Sequence, residues 1–153
     1  MPRIDIASLP ERNTTAYPEP FRRTVAGRFK TALGDAVALS QFGVNLTRIA
    51  PGSASSERHW HENEDEFVYV LEGELVLVED DGETVLKPGD AAAFKAGVAN
   101  GHHLVNRSDR DALILEVGTR AASEIAHYPD VDLAGVKDEA GFHFSSKSGE
   151  PYA

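Results

Sequence analysis

Turn signals recur at short intervals along the middle of this chain, and their spacing restricts the possible folds more than any other feature. Residues 34–35, 51–52, 79–82 and 87–90 carry the Gly, Pro and Asp combinations that favour turns. The segments between them are short, and residues 42–47 alternate apolar with polar side chains, the pattern of a half-buried β-strand. Because no segment has a convincing long helical period, the pattern predicts an all-β fold, either an antiparallel sandwich or a barrel.

The 153 residues are most simply one domain with two irregular ends. Residues 1–23 contain four prolines and no sustained period, which predicts an extended N-terminal arm. Residues 24–118 contain the predicted strands of the barrel. Residues 119–153 are interpreted as a less regular C-terminal extension that packs on the barrel, with one last strand expected around residues 142–144.

Composition excludes several classes of site and partner. The chain has no cysteine, so disulfides, zinc fingers and thiol nucleophiles are excluded, and any metal must be held by nitrogen and oxygen. A net charge of −10 argues against nucleic acid or an anionic membrane as a partner and is interpreted as ordinary solubility. The start of the chain has no apolar segment typical of a signal peptide, so we expect a cytoplasmic protein that binds neither nucleic acid nor membrane.

The stretch 52–73 contains the strongest candidate site. His59 and His61 are separated by one residue, so on an extended strand both imidazoles point to the same side. Glu66 follows after a short polar loop and begins an apolar run, so it can add a carboxylate oxygen from a neighbouring strand. Neutral imidazole and carboxylate together suit a divalent transition ion.

These residues, together with a second group downstream, resemble the two motifs of the cupin superfamily. The first motif corresponds to Gly52, His59, His61, Glu66 and Gly73, and the second to Gly89, Lys95, Gly97, His102 and Asn106. The resemblance covers residues 43–117, with the fifteen residues 74–88 between the motifs, a spacing similar to that of small single-domain microbial members. It implies a double-stranded β-helix, the jelly-roll barrel of cupins.

The resemblance also implies a metal site with three histidines and one carboxylate. Its ligands would be His59, His61, Glu66 and His102, holding one divalent transition ion such as iron, manganese, zinc or nickel. The chain departs from the family pattern by a longer spacer before His59, by Lys95 in place of proline, and by two extra residues between Gly97 and the histidine. His103 is therefore an alternative ligand, but only His102 stands four residues before an asparagine.

Other polar residues near the motifs allow more than one interpretation. Arg48 and Glu116 lie within apolar strands. Arg48 could bind an anionic substrate and Glu116 could act as a base, but we favour outward-facing positions for both. Val68 stands where some cupin lyases carry a tyrosine base, which disfavours a lyase. We expect Trp60 to point away from the metal and serve in packing. The remaining candidates are interpreted as surface residues, namely His127 and His143 in the tail and the loop residues Glu62, Glu64 and Asp65.

The strand after Glu66 predicts an exposed apolar face. If Glu66, Val68 and Val70 face the interior, three large apolar side chains must face outward, namely Phe67, Tyr69 and Leu71. Such a face needs a cover, either from the N-terminal arm or from a second subunit. By this argument we predict a homodimer.

The expected function is that of a metal-binding cupin acting on a small molecule. Four ligands that leave coordination positions open are typical of a catalytic metal site. This favours a small-molecule metalloenzyme of the oxygenase or isomerase type, with a carboxylated or sugar-like substrate. The alternative is a non-catalytic module that binds or senses a small ligand in the same pocket.

Overall fold

The computed structural model describes residues 3–152, so residues 1–2 of the predicted arm and residue 153 of the predicted extension lie outside the described residues. Within this range, twelve β-strands and three short 3-10 helices make up the regular structure, and none of the helices is long and apolar enough to cross a membrane. The helices are Ile6–Ser8, Phe21–Val25 and Asp35–Val37. The strands are β1 Arg28–Ala32, β2 Phe42–Ile49, β3 Trp60–His61, β4 Glu66–Glu72, β5 Leu75–Glu79, β6 Gly82–Leu86, β7 Ala91–Phe94, β8 His103–Val105, β9 Ala112–Thr119, β10 Glu124–His127, β11 Ala134–Asp138 and β12 Gly141–Ser145.

The strands form three antiparallel sheets. The largest has the order β1-β2-β9-β4-β7, the second β6-β5-β8, and the third β12-β11-β10-β3. Most neighbours in the largest sheet are distant in sequence, as when β2 pairs along its whole length with β9, and such long-range antiparallel pairing is typical of a jelly roll. The predicted all-β jelly-roll fold is confirmed.

The main core lies between the five-stranded and three-stranded sheets. Val68, Val70 and Ile114 contribute from the first sheet, and Leu75 and Leu104 from the second, all almost fully buried. The two-residue period of β4 produces this arrangement, because alternate side chains of a strand point to opposite faces. The other face of β4 carries the exposed side chains predicted from the sequence.

The tight connection after β4 depends on a glycine. Gly73, the last residue of the first motif, has a φ of +76°, a left-handed conformation that few other residues adopt. A β-carbon there would also lie 2.6 Å from the carbonyl oxygen of Asp111. The chain can therefore turn from β4 into β5 against the backbone before β9 only if this position is glycine.

The C-terminal segment is more regular than the sequence predicted. One last strand was expected around residues 142–144 and β12 lies there, but β10 and β11 were not predicted. The sequence of β11, AGVKD, contains a single large apolar residue, so its extended form depends on pairing with β10 and β12. Strand β10 also pairs with β3, placing Ala126 opposite His61, and so joins the tail to the candidate site.

A second, smaller core connects the two ends of the chain. Tyr17 and Val25 from the N-terminal segment pack with Ala126, Tyr128 and Leu133 from the C-terminal segment, and all five are buried. The rings of Tyr17 and Tyr128 meet edge to face with their centroids 6.1 Å apart. Sequences outside the two motifs therefore build a hydrophobic cluster of their own.

Candidate metal centre

Backbone pairing brings the two sequence motifs together. His59 and His102 form an isolated antiparallel bridge, in which the amide of each residue donates to the carbonyl of the other at 3.1 and 2.9 Å. His61 lies two residues after His59, so its ring points to the same side of the extended backbone. Trp60, between them, points the other way and stacks on His127 with ring centroids 4.2 Å apart.

The four predicted ligands converge on one point inside the barrel. The Oε1 atom of Glu66 lies 3.3 Å from Nε2 of His59, 3.3 Å from Nε2 of His61 and 2.8 Å from Nε2 of His102. His59 and His102 are buried, whereas His61 and Glu66 are half-buried. Three imidazole nitrogens and one carboxylate oxygen thus meet from two motifs that are about forty residues apart in the chain.

The surroundings of two histidines select the nitrogen that is free to bind. Nδ1 of His59 lies 2.8 Å from the carbonyl oxygen of Glu57, and Nδ1 of His102 lies 3.1 Å from that of Asn100. A carbonyl oxygen can only accept, so the proton belongs on Nδ1 and the Nε2 lone pair is left for a ligand. The ring of Phe94 also stacks on His102 with centroids 3.6 Å apart, which restricts its rotation.

The electrostatics of the cluster keep Glu66 ionised. Burial alone would raise its pKa, but hydrogen bonds to His102 and His59 outweigh burial and hold the pKa well below its usual range. For His59, burial lowers the pKa, but contact with Glu66 reverses this and leaves it raised. Burial lowers the pKa of His61, which favours the neutral form that a metal requires.

These residues fit a divalent transition ion on the chemistry of their donor atoms. His59, His61 and Glu66 offer ligand atoms that all lie within 4.8 Å of one another, and Nε2 of His102 contacts the same carboxylate oxygen. Three neutral nitrogens and one anionic oxygen are a donor set that iron, manganese, nickel, cobalt and zinc all accept. The geometry therefore permits a metal site, and it does not select the ion.

His103, the alternative fourth ligand, lies apart from this cluster. Its Nδ1 atom is 2.8 Å from the carbonyl oxygen of Ser56, and its side chain alternates with that of Leu104 on β8. Asn106, which follows His102 by four residues, is fully buried, and its side-chain amide donates to the carbonyl oxygens of Ile49 and Arg110. Asn106 therefore fixes the end of β8.

A cavity of about 210 Å³ opens beside the four candidate ligands. Val68, Phe94 and Leu104 form its apolar wall. Its lysine and arginine lining comes from Arg28 and Lys30, which were not identified from the sequence. The signal was present, because a spacing of two on β1 places both cations on one face of the strand.

Glu116 lines the same cavity, so the preferred outward position for this residue is wrong. Its Oε1 atom is buried without a hydrogen-bond partner and lies 3.9 Å from Nζ of Lys30. The strand period explains the position, because Ala112 and Ile114 on β9 are buried in the core and Glu116 continues their face. In the register with β4, Glu116 stands opposite Val68, beside Glu66.

The other charged candidates lie outside the cavity or support the structure. Arg48 is on the outer side of the sheet, where it pairs with Asp111 at 2.8 Å and with Glu11 and covers the ring of Phe29. Glu64, expected in a solvated loop, is instead half-buried, and its carboxylate is 2.6 Å from Nζ of Lys137. In the tail, His143 is exposed, as expected of a surface residue, whereas His127 is half-buried and pairs with Glu62.

The chain matches known proteins at the level of sequence and structure. The family model for the cupin domain matches residues 45–118. A crystal structure from Silicibacter pomeroyi, described as a sugar phosphate isomerase from the cupin superfamily, is 49% identical with a TM-score of 0.94, covering 99% of this chain and 96% of that chain.

Two more distant matches are also similar to the barrel. A structure from Acidithiobacillus ferrooxidans, described as a putative sugar phosphate isomerase, is 28% identical with a TM-score of 0.75, covering 84% of this chain and 83% of that one. A Mycobacterium tuberculosis protein named beta-D-galactosidase is 37% identical over 87 residues, which is 56% of this chain and 71% of that protein. With the motifs, the barrel and these matches in agreement, the chain belongs to the cupin superfamily.

Proposed function

We propose that this protein is a metal-dependent isomerase of a small phosphorylated sugar. His59, His61, Glu66 and His102 would hold one divalent ion. The observation that carries the proposal is the position of Glu116, a carboxylate with a buried, unpartnered oxygen in the cavity that the four ligands line. The 49% identity to a protein described as a sugar phosphate isomerase supports the same reaction class.

The chemistry of the site follows from the residues around the cavity. A bound divalent ion would act as a Lewis acid towards a carbonyl oxygen of the substrate. In the proposed reaction, Glu116 takes a proton from the hydroxyl-bearing carbon next to that carbonyl and returns it to the carbonyl carbon, while the hydroxyl proton passes to the former carbonyl oxygen. The product is an isomer of the substrate, so atoms balance and no oxidant is needed. Val68, Phe94 and Leu104 make part of the cavity wall apolar, which strengthens electrostatic interactions between the reacting groups.

The two cavity cations suit a phosphate group. Arg28 uses one nitrogen, Nη1, to donate to the carbonyl oxygen of Ser55 at 2.9 Å, so other donors of its guanidinium can bind substrate. Among residues 3–152, the one carboxylate within salt-bridge distance of the Nζ atom of Lys30 is that of Glu116, at 3.9 Å. In a chain with a net charge of −10, two cations on one wall of the cavity would attract an anionic substrate locally.

The proposal is tested by incubating metal-loaded protein, without oxygen, with a panel of aldose and ketose phosphates in D₂O. The expected result is interconversion of one pair, with deuterium entering at the carbon next to the carbonyl. Glu116→Gln should lower the rate by about 10²–10⁴-fold, the usual contribution of a general base, with unchanged metal affinity. Glu83→Gln is the matched control, because Glu83 is exposed on β6 and pairs with Arg107.

Other outcomes would identify a different function. Tight sugar binding without turnover under every metal would contradict the isomerase and favour a non-catalytic module. Oxygen consumption with ferrous iron would favour an oxygenase, and hydrolysis of a β-galactoside would follow the relative named for that activity. Equal activity of the Glu116→Gln variant and the wild type would remove Glu116 from the reaction.

We also propose a homodimer that covers the outer face of β4. Phe67, Tyr69 and Leu71 are 40%, 37% and 39% exposed, although the N-terminal segment is present. That segment pairs at Arg12 with Lys30 on β1, at the opposite edge of the sheet, so it does not cover these side chains. Light scattering at micromolar concentration should give twice the chain mass, and Tyr69→Glu should give a monomer. A monomeric wild type would contradict this proposal.

A further inference from the structure

A buried carboxylate from the C-terminal segment stands behind the candidate ligand His61. Glu124 is the first residue of β10 and is 1% exposed. It reaches this position because β10 pairs with β3, the strand that carries His61. Neither sequence motif includes Glu124, and it lies beyond the region matched by the cupin-domain family model.

Backbone amides hold this carboxylate in place. Its Oε1 atom accepts from the amides of Glu62 and Ile125, both at 2.8 Å, and its Oε2 atom accepts from the amide of Asn63 at 3.0 Å. Within residues 3–152, no lysine or arginine lies within salt-bridge distance of it. The hydrogen-bond donors that this carboxylate has among the described residues are therefore all neutral backbone amides.

His61 is the ligand whose second nitrogen lacks a partner. The Nδ1 atoms of His59 and His102 both face backbone carbonyls, but Nδ1 of His61 is buried and makes no hydrogen bond among the described residues. The nearest carboxylate oxygen is Oε1 of Glu124, at 3.9 Å. The Nδ1 atom of His61 and the Oε1 atom of Glu124 therefore lie 3.9 Å apart. Among the described residues, the nitrogen has no hydrogen-bond partner and the carboxylate has no lysine or arginine partner.

We propose that Glu124 is a positioning residue for the metal centre. Its carboxylate fixes the proton of His61 on Nδ1 and directs Nε2 towards the ion, through a contact that shortens when the metal binds. The physical reason is that ligation through Nε2 withdraws charge from the ring and strengthens Nδ1–H as a donor to a carboxylate. The tail thus completes a site whose ligands all lie between residues 59 and 102.

The alternative, a second ion held by His61, Glu64 and Glu124, does not fit the contacts. Ligand atoms of these residues lie within 4.8 Å of one another. However, Glu64 already binds Lys137 at 2.6 Å and accepts from the amide of Ala121 at 3.1 Å. Both oxygens of Glu124 accept backbone amides, which disfavours direct ligation of a second ion by this carboxylate.

Metal affinity of the Glu124→Gln variant tests the proposal directly. Glutamine keeps a carbonyl oxygen for the backbone amides but removes the charge. We expect zinc and cobalt affinity, measured by competition with a chelator, to fall about 10-fold or more, within the range found for such supporting partners. The visible spectrum of the cobalt-loaded variant should also shift, because the orientation of His61 changes. The metal-free variant should unfold at a somewhat lower temperature, because the amide of Asn63 would face the new NH₂ group in place of an acceptor.

Glu64→Gln is the matched control. It removes an equal charge from the same cluster, but its carboxylate is already neutralised by Lys137, so affinity should change by no more than about twofold. Wild-type affinity together with a wild-type cobalt spectrum in Glu124→Gln would overturn the proposal. Because it depends on the proposed metal site and not on isomerisation, a wild-type protein that binds no metal would refute the site itself.

A measurement on the wild type covers the case in which Glu124→Gln fails to fold. In zinc-loaded protein with ¹⁵N-labelled histidine, the Nδ1 proton of His61 should exchange with solvent more slowly than the ring protons of exposed His143. Exchange as fast as that of His143, or zinc bound through Nδ1 of His61, would overturn the assignment.

Discussion

The barrel and the C-terminal segment contribute to the same site in different ways. The barrel supplies all four candidate donor atoms, which converge on Glu66 through the bridge between His59 and His102. The C-terminal segment supplies none of these four ligand atoms, but it contributes the buried carboxylate of Glu124 and three of the five buried residues of the second core. A sequence motif therefore identifies the groups that bind, whereas the groups that support them can come from sequence that carries no motif.

Removing a donor from the barrel should have the largest effect. We expect His59→Ala or His102→Ala to weaken zinc binding by more than about 100-fold, since loss of a supporting partner alone costs about 10–100-fold. Isothermal titration of zinc into metal-free protein measures this. His127→Ala is the control, because the ring of His127 contacts Trp60 and Glu62 and not the carboxylate of Glu66. If the His59 variant kept wild-type affinity, the barrel would not be the source of the ligands.

A mutation that creates a cavity in the second core would test whether the barrel and the C-terminal segment unfold together. Leu133 is 1% exposed in that core, so Leu133→Ala should destabilise the fold by about 2–5 kcal/mol. Because β10 pairs with β3, we expect the whole chain to unfold in one transition, followed by circular dichroism in urea.

Two separate transitions, with the main core unaffected, would show that the tail is an independent unit. That result would support the predicted boundary at residue 118 as a true domain boundary. A control in the main core is Leu75→Ala, which removes an equally buried leucine between the two sheets and should cost a similar amount.

Removing the charged contact between Arg58 of the barrel and Asp130 of the C-terminal segment should have a smaller effect on the free energy of unfolding. Arg58 donates to both oxygens of Asp130 in the tail at 2.8 and 2.9 Å, to the carbonyl oxygen of Gly101 at 2.9 Å, and to Asp80. Its side chain is only 13% exposed. Arg58→Gln should therefore lower the free energy of unfolding by about 1.5–3 kcal/mol, the range for hydrogen bonds to charged groups.

The stabilisation of the fold by the Arg58–Asp130 pair should decrease at low pH. The hydrogen bond from Arg58 outweighs burial and lowers the pKa of Asp130 below its usual value of 3.8. A group with a lowered folded pKa stabilises the protein above its unfolded pKa, and this is lost as pH falls through the folded value. The difference between wild type and Arg58→Gln should therefore be full above about pH 5 and shrink below pH 3.8. A difference that grew at low pH would contradict the assigned pair.

The smallest effect should come from the neighbouring histidine on β8. His103 faces the carbonyl of Ser56 and not the carboxylate of Glu66, so His103→Gln should leave zinc affinity within about twofold of wild type. The titration used for His59 also measures this variant. A loss comparable to that of His102→Ala would mean that the ring of His103 turns into the site.

Local periodicity explains why much of the barrel was predictable. The spacing of His59 and His61 and the alternation along β4 depend only on the extended backbone, so both were correct from the sequence. The position of Glu116 could have been predicted by the same rule, because Ala112 and Ile114 share its face, but the assumption of a half-exposed strand outweighed that signal.

The tail was less predictable because its structure depends on distant partners. Nothing near Glu124 in the sequence indicates that β10 will pair with β3, more than sixty residues earlier in the chain. Strand β11 has little intrinsic preference for an extended form and lies between two neighbours that provide its hydrogen bonds. The position of Glu124 next to His61 therefore depends on the pairing of β10 with β3 in the folded sheet.

The number of metal ions bound per chain tests most directly whether the two motifs form a metal centre. Protein stripped with a chelator and dialysed against cobalt should bind one ion per chain and show a visible absorption spectrum. The His59→Ala, His102→Ala and Glu66→Ala variants should each lose most of the bound ion and the spectrum, while His103→Gln keeps both. Absence of cobalt in the wild type, or full binding in all three ligand variants, would contradict a metal centre at the point where the two motifs meet.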